Sequence, residues 1–280
     1  MKRYKKWALV LSGGGAKGLA HIGVLKGLEE AGFPKPALVV GTSMGAIVGG
    51  LYACGMSPAE MEHFVLDDFD INDYLDSIAF KITGPVGKVI QTGQALASLA
   101  GRPGVDTGHK LLELFQKLTK GKRFEETEIP FRCNAVDLVS GREIVFRSGS
   151  IARAIRASMS FPVFFEPLIE GKMCLVDGGV SDNLPVAIAR QEGYKRRVLA
   201  IDVYQFDSQE MNELKNGPQI IYRSLEIVLN AQKENKKAAD LTLSVSDETN
   251  AFSFFRQKEL IALGENAVRA NVKNLEGFFG

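Results

Sequence analysis

Apolar residues come in short unbroken runs that feed into helical stretches from the beginning of the chain. Trp7-Ala8-Leu9-Val10-Leu11 has the continuous apolar character of a strand buried on both faces. It passes through glycines into a 3.6-residue pattern over Lys17 to Ala31, which Gly32 is placed to stop. Leu38-Val39-Val40 repeats the strand signal, small residues after Ser43 predict a second helix, and Pro58-Ala59-Glu60 begins a third. Strand and helix alternating this early predict a parallel sheet covered by helices.

Further along the pattern changes. Between Asp70 and Asp106 the periodicity is poor and glycines and prolines recur, so an irregular insertion is expected there. Phe131 to Val139 and Glu143 to Phe146, joined by Ser140-Gly141, read as a hairpin. Further strands are expected at 163–169, 173–176, 198–203 and 241–245, and helices at 151–157, 185–191, 219–237 and 258–275. Residues 1–280 read as a single α/β domain, with the informative motifs in about 7–205 and a helical region in about 206–280.

Composition adds mostly exclusions. Lys and Arg number 34 against 33 Asp and Glu, so no global field points to nucleic acid. The three cysteines are widely spaced and lack a partnering histidine, which predicts no metal site and fits a reducing, cytoplasmic setting. The basic start and apolar run at 1–11 resemble a signal peptide but break too soon into glycines. Pro36 to Ala59 carries no charge, yet its five glycines and strand-turn-helix pattern mark it as core and not as a membrane span.

Two glycine-rich turns carry candidate chemistry. Gly41-Thr42-Ser43-Met44-Gly45 is G-x-S-x-G between a strand and a helix, the setting of a nucleophile elbow. A bare match of this kind also suits a turn with an N-capping serine. Gly13-Gly14-Gly15-Ala16-Lys17-Gly18 matches the dinucleotide fingerprint, but the second strand ends Val39-Val40-Gly41-Thr42 with no acidic residue to hold a ribose. Lys17-Gly18 also reverses the order a P-loop needs. What remains is either a row of backbone N–H groups at a helix start, suited to an oxyanion, or a tight turn that serves packing alone.

The base is found by elimination. The only histidines are His21, His63 and His109, so no histidine lies late enough for the Ser-Asp-His order of α/β-hydrolases. His21 shares a helical stripe with Val24, Leu25 and Leu28, which suits a structural role. Asp177, in Leu175-Val176-Asp177-Gly178-Gly179, ends an apolar strand where sites of parallel sheets assemble, although an isolated Asp-Gly-Gly also initiates turns. A carboxylate is a weak base at its ordinary pKa, so either burial raises it or the oxyanion hole carries much of the stabilisation. Such a pair suits esters better than amides, because an alkoxide leaves with less proton assistance than an amine.

These three motifs in this order, with Arg156 to Pro162 and Asp182-Asn183-Leu184-Pro185 nearby, resemble the patatin-like phospholipase family. The resemblance implies a three-layer α/β/α sandwich with a mainly parallel central sheet, and lipid acyl hydrolysis without metal or cofactor. It implies Ser43 as nucleophile, Asp177 as base, and Gly13, Gly14 and Gly15 as the oxyanion loop. Gly41 and Gly45 then belong to the elbow and Gly178 and Gly179 to the aspartate motif. Lys17 is either electrostatic support or a solvated lysine. The expected partner is a lipid ester, met in the cytoplasm or at the inner membrane surface; the alternative is a patatin-fold protein that binds lipid or partners with little turnover. Residues 89–101 are a candidate bilayer contact, a candidate cover of the acyl pocket or plain core; the Ala251–Phe255 cluster and Phe278-Phe279 leave membrane contact and core equally open, and the basic Met1–Lys6 arm could add weak attraction to anionic lipid.

Overall fold

The computed structural model describes residues 5–76, 103–204, 238–245 and 254–280, together with 211, 214, 220 and 223–228. Its strands are β1 (Ala8–Leu11), β2 (Leu38–Gly41), β3 (Gly104–Asp106), β4 (Phe131–Asp137), β5 (Arg142–Phe146), β6 (Val163–Phe165), β7 (Leu168–Glu170), β8 (Met173–Asp177), β9 (Val198–Asp202) and β10 (Leu241–Ser244). The α-helices are α1 (Ala20–Glu30), α2 (Met44–Ala53), α3 (Pro58–His63), α4 (His109–Leu118), α5 (Ile151–Ser158), α6 (Val186–Gln191), α7 (Gln257–Ala270) and α8 (Val272–Phe279). None of the described helices is long and apolar enough to cross a membrane.

The main sheet runs β10-β9-β1-β2-β4-β8-β7, with β5 paired to β4. From β10 to β4 the strands are parallel, whereas β8, β7 and β5 join antiparallel. The fold is thus the expected mixed, mainly parallel α/β/α sandwich. Alternate residues of the central strands feed two unequal layers. Leu9, Leu11, Val39, Phe131, Leu199 and Ile201 face a large core with α1, α2, α4, α5 and α7. Ala8, Val10, Leu38, Val40, Val198 and Ala200 face a smaller one built on α6.

Helix α7 lies directly against α1. A side chain at Gly23 would strike the Ile261 carbonyl, and one at Gly264 the Ala20 carbonyl, so the two glycines let the backbones cross at contact distance. The chain terminus is drawn into the same layer. Phe279 is buried and packs edge-on against Trp7 and flat against Phe33, and Phe278 meets Trp7 edge-on. Phe278-Phe279 therefore belongs to the core and is not a membrane contact. Of the other candidate contacts, 89–101 and Met1 to Tyr4 lie outside the described residues, as does Phe252, and Phe255 is exposed.

Some elements differ from expectation, strand β3 among them, which lies at the end of the stretch expected to be irregular. The strand expected at 163–169 is two strands, because Pro167 cannot donate to a ladder. β6 leaves the main sheet to pair with β3, while β7 pairs with β8. The helix expected at 258–275 breaks at Asn271. Helix α4 has no counterpart in the expected elements, although Leu111, Leu114, Phe115 and Leu118 repeat at helical spacing.

Candidate active site

The Gly41-Thr42-Ser43-Met44-Gly45 turn joins β2 to α2 with Ser43 at the N-cap. Ser43 has φ 53° and ψ −120°, a strained conformation for a non-glycine residue, of the kind that costs ~1–3 kcal/mol and persists at functional sites. The flanking glycines explain how the turn closes. A side chain at Gly41 would strike the Gly45 carbonyl, and one at Gly45 the carbonyls of Leu11 and Ser12. The Ser43 N–H donates to the Ser158 hydroxyl at 2.9 Å, which fixes the elbow to α5. The positive end of the α2 dipole then lies under the serine oxygen.

The glycine loop sits beside it at the end of β1. Gly13 packs against Ser43, since a Cβ on Gly13 would come 3.1 Å from the serine Cβ. Its N–H donates to the Asn183 carbonyl at 3.1 Å and so is already engaged. Gly14 and Gly15 line the same cavity as Ser43, and Gly15 has φ 56°, where a side chain would be strained. Lys17 lies in the 3-10 turn that follows and is buried, so it is not a solvated lysine.

Asp177 closes β8 with only 2% of its surface exposed. Its Oδ1 accepts the Gly179 N–H at 2.8 Å, while Oδ2 is sealed from solvent without a hydrogen bond of normal geometry. Burial pushes its pKa up to about 7; the nearby Ser43 hydroxyl and the Gly179 N–H offset part of that rise. A carboxyl in this range exchanges a proton near neutral pH, as a general base should.

Two further side chains hold these parts in register: Asn134, which sequence reasoning did not single out, and Arg156, which opens a motif of the resemblance without a role assigned to it. The Thr42 hydroxyl donates to Asn134 Oδ1 at 2.7 Å, and Asn134 Nδ2 donates to the Asp182 carbonyl at 3.0 Å and to Glu143 Oε1 at 2.9 Å. A side chain at Gly178 would run into Asn134, so that glycine lets the aspartate loop settle onto the amide. The serine elbow and the aspartate loop are therefore bridged by one buried side chain from β4. A second brace runs through Arg156, whose guanidinium donates to the carbonyls of Thr107 (2.7 Å), Gly108 (3.1 Å) and Glu166 (2.9 Å) and to the Ser160 hydroxyl. The Ser160 carbonyl in turn accepts the Asp177 N–H at 3.0 Å. These contacts join residues far apart in sequence; Arg156 and Ser160 stand in a motif that carries the resemblance, whereas Asn134 stands in none.

The histidines stand apart from this chemistry. His21 is fully buried, its Nε2 donates to the Ser12 carbonyl at 2.8 Å, and desolvation lowers its pKa to about 4. It is a neutral strut beneath the glycine loop. His63 and His109 are exposed and pair with Asp67 and Glu113 on their own helical turns. Among the described residues, no group of His, Cys, Asp and Glu could hold a metal ion.

Ser43 and Asp177 open onto a cavity of about 190 Å³ whose walls are overwhelmingly apolar. Met44, Ile47, Val48 and Leu51 of α2 form one wall, and Leu111, Leu114, Phe115 and Leu118 of α4 another. Each set follows the i, i+3, i+4, i+7 stripe of a helix face. Polar chemistry is thus concentrated at the strand ends, with an apolar receptacle leading away from it.

The arrangement has known relatives. The chain is 35% identical over 202 residues to lysophospholipase NTE1 of Kluyveromyces lactis, a match covering 72% of this chain and 13% of that protein. It is 34% identical over 207 residues to patatin-like phospholipase domain-containing protein 6 of Homo sapiens, covering 73% and 14%. The chain thus spans about a seventh or less of the length of the curated relatives it matches. Among solved structures, VipD from Legionella pneumophila shares the fold at a TM-score of 0.56 and 17% identity, over 96% of this chain and 67% of that one. Residues 9–190, well over half the chain, match the patatin-like phospholipase family model, and the protein is a member of that family.

Proposed function

We propose that Ser43 and Asp177 act as a catalytic dyad that hydrolyses lipid acyl esters. Family membership makes the chain a lipid acyl hydrolase. The single observation supporting this assignment of roles is the buried Asp177 carboxyl, held at a pKa of about 7 beside the strained Ser43 elbow.

In the acylation step the Asp177 carboxylate takes the Ser43 hydroxyl proton as the oxygen attacks the ester carbonyl carbon. Charge that develops on the carbonyl oxygen is met by the amides of Gly14 and Gly15 and by the helix dipole. Collapse breaks the ester C–O bond, and the departing alkoxide receives the proton from Asp177. Water then gives a proton to the regenerated carboxylate and attacks the acyl-serine, releasing a fatty acid and restoring both groups. The apolar cavity takes the acyl chain. Because relatives of this chain, that of Kluyveromyces lactis among them, are named lysophospholipases, a monoacyl phospholipid is the proposed physiological substrate. Lys17, buried behind the glycine loop, adds positive potential to it. The site works on substrate at a membrane surface contacted peripherally from the cytoplasmic side.

The test is mass spectrometry of the intact protein after brief exposure to a panel of short esters and lysophospholipids. Acylation confined to Ser43, and lost in Ser43→Ala, supports the dyad. Lipid retained without acylation or turnover would instead make the chain a lipid-binding protein.

A further inference from the structure

The loop that begins at Asp177 reaches the glycine loop at Asn183. It is wound tightly on the way, since the N–H groups of Ser181 (3.1 Å) and Asp182 (2.9 Å) both donate to the Gly178 carbonyl. The Asp182 carbonyl is held by the Thr42 hydroxyl at 3.1 Å as well as by Asn134, so the residue after it is delivered to a fixed place. Asn183 is 7% exposed and lines the cavity together with Ser43, Gly14 and Asp177.

Asn183 holds Gly13 through three separate atoms. Its main-chain carbonyl accepts the Gly13 N–H at 3.1 Å, and its Nδ2 donates to the Gly13 carbonyl at 3.5 Å. Its Oδ1 occupies the space that a Cβ on Gly13 would need, a position that Ser43 Cβ bounds at 3.1 Å. The 3.5 Å bond is long for an N–H···O pair, and its value lies in the peptide plane it sets. In a planar trans peptide the carbonyl of one residue and the N–H of the next point in opposite directions. Drawing the Gly13 carbonyl towards Asn183 therefore turns the Gly14 N–H the other way. Among the described residues, that N–H meets no protein acceptor.

We propose that Asn183 is a positioning residue of the oxyanion loop: its side-chain amide sets the Gly13–Gly14 peptide plane and so aims the Gly14 N–H at the developing oxyanion. The inference rests on the proposed ester hydrolysis at Ser43. A run of glycines has no side chains of its own to hold its peptide planes, and its backbone is the most freely rotating in the chain. An oxyanion donor, however, stabilises the transition state only if it is in place before charge develops. Base and brace share one short loop, which registers Asp177 against the Gly14 amide.

The experiment compares wild type with Asn183→Ala and with Asn183→Leu, which keeps much of the shape of Asn without a donor or a charge. Circular dichroism and thermal melts select the folded variants. Steady-state kinetics on a short chromogenic ester should show kcat lowered about a hundredfold, the scale of a displacement of about 1 Å, with KM within about threefold. Inhibition by a trifluoromethyl ketone, which adds to Ser43 as a tetrahedral oxyanion, should weaken by the same factor as kcat/KM. Calorimetric binding of octan-1-ol, which has an apolar chain and no carbonyl, should stay within about twofold of wild type. The pH midpoint of kcat/KM should remain near 7, because Asp177 itself is untouched. Equal weakening of ketone and octanol binding, or an unchanged kcat in the folded variants, overturns the role of Asn183 and leaves the dyad standing. Absence of hydrolysis by wild type, or turnover retained by Ser43→Ala, overturns the dyad and this inference with it.

Discussion

Replacing Asp177 by Asn tests the candidate site through stability as well as rate. In the folded chain burial holds the Asp177 pKa at about 7, against 3.8 for the ordinary group. Between those values the folded state keeps a proton that the unfolded chain gives up. Stability from this group is complete below about pH 4, falls as pH rises towards 7, and stays at its minimum above that. At about 1.4 kcal/mol per pH unit, the interval amounts to roughly 4 kcal/mol of destabilisation by the ionised carboxylate at pH 8. Asparagine keeps an oxygen for the Gly179 N–H and carries no charge, so Asp177→Asn removes that cost and, with it, the base. The melting temperature of the variant should match wild type near pH 4 and exceed it by an amount that grows to roughly 5–8 °C by pH 8. Over the same range wild-type kcat/KM on a short ester should climb with a midpoint near pH 7, while the variant loses activity by at least two orders of magnitude. Fluorimetric melts across pH 4–9 and stopped assays on the same samples provide both readouts. A melting-temperature gap that fails to widen with pH, or an Asp177→Asn variant that retains turnover, would refute the reasoning.

Two other substitutions separate neighbouring roles. Gly15→Ala should lower kcat by about 10²–10³ with little change in KM, because loss of one oxyanion donor costs roughly 2.7–4 kcal/mol in the transition state; steady-state kinetics showing an effect on KM alone would reassign the loop to ground-state binding. His21→Gln, which preserves a side-chain donor for the Ser12 carbonyl, should leave kcat/KM within about tenfold and its pH midpoint unmoved, since the imidazole is already neutral with a pKa of about 4. A fall comparable with that of Ser43→Ala in a folded variant would demand a Ser-His mechanism.

The parts of this protein that could be read from sequence are those encoded locally. The β1-glycine loop-α1 and β2-elbow-α2 units announce themselves because the strained Ser43 conformation and the contact of Gly45 with the Leu11 carbonyl each need a particular residue at a particular place. Asp177 was reached by excluding histidine, from its place at a strand end and through the motif that carries the resemblance; its burial, which comes from packing across the sheet, was not legible. Asn134 gave no signal: it is one polar residue inside a predicted strand, and its value lies in touching Thr42, 92 positions away, and Asp182, 48 positions away. Helix α4 was legible in its apolar spacing but follows a glycine-rich stretch that reads as continuing loop. Overlooking it also meant overlooking one wall of the cavity beside Ser43. Phe278-Phe279 left membrane contact and core both open, because an apolar pair is ambiguous until its partners Trp7 and Phe33 are known.

The family match stops at residue 190, but the sheet does not. β9 lies between β10 and β1, and the Val203 side chain that follows it abuts Gly14. A fragment cut to the matched segment would bare the full length of β1 as an unpaired edge, inviting strand addition from another copy. It would also strip α7 from the glycine-notched face of α1 and leave the backbone at Gly14 without its lateral support. For anyone designing truncations or grafting this catalytic unit into a larger protein, the smallest portable piece therefore extends through α8, well past the last motif that does chemistry.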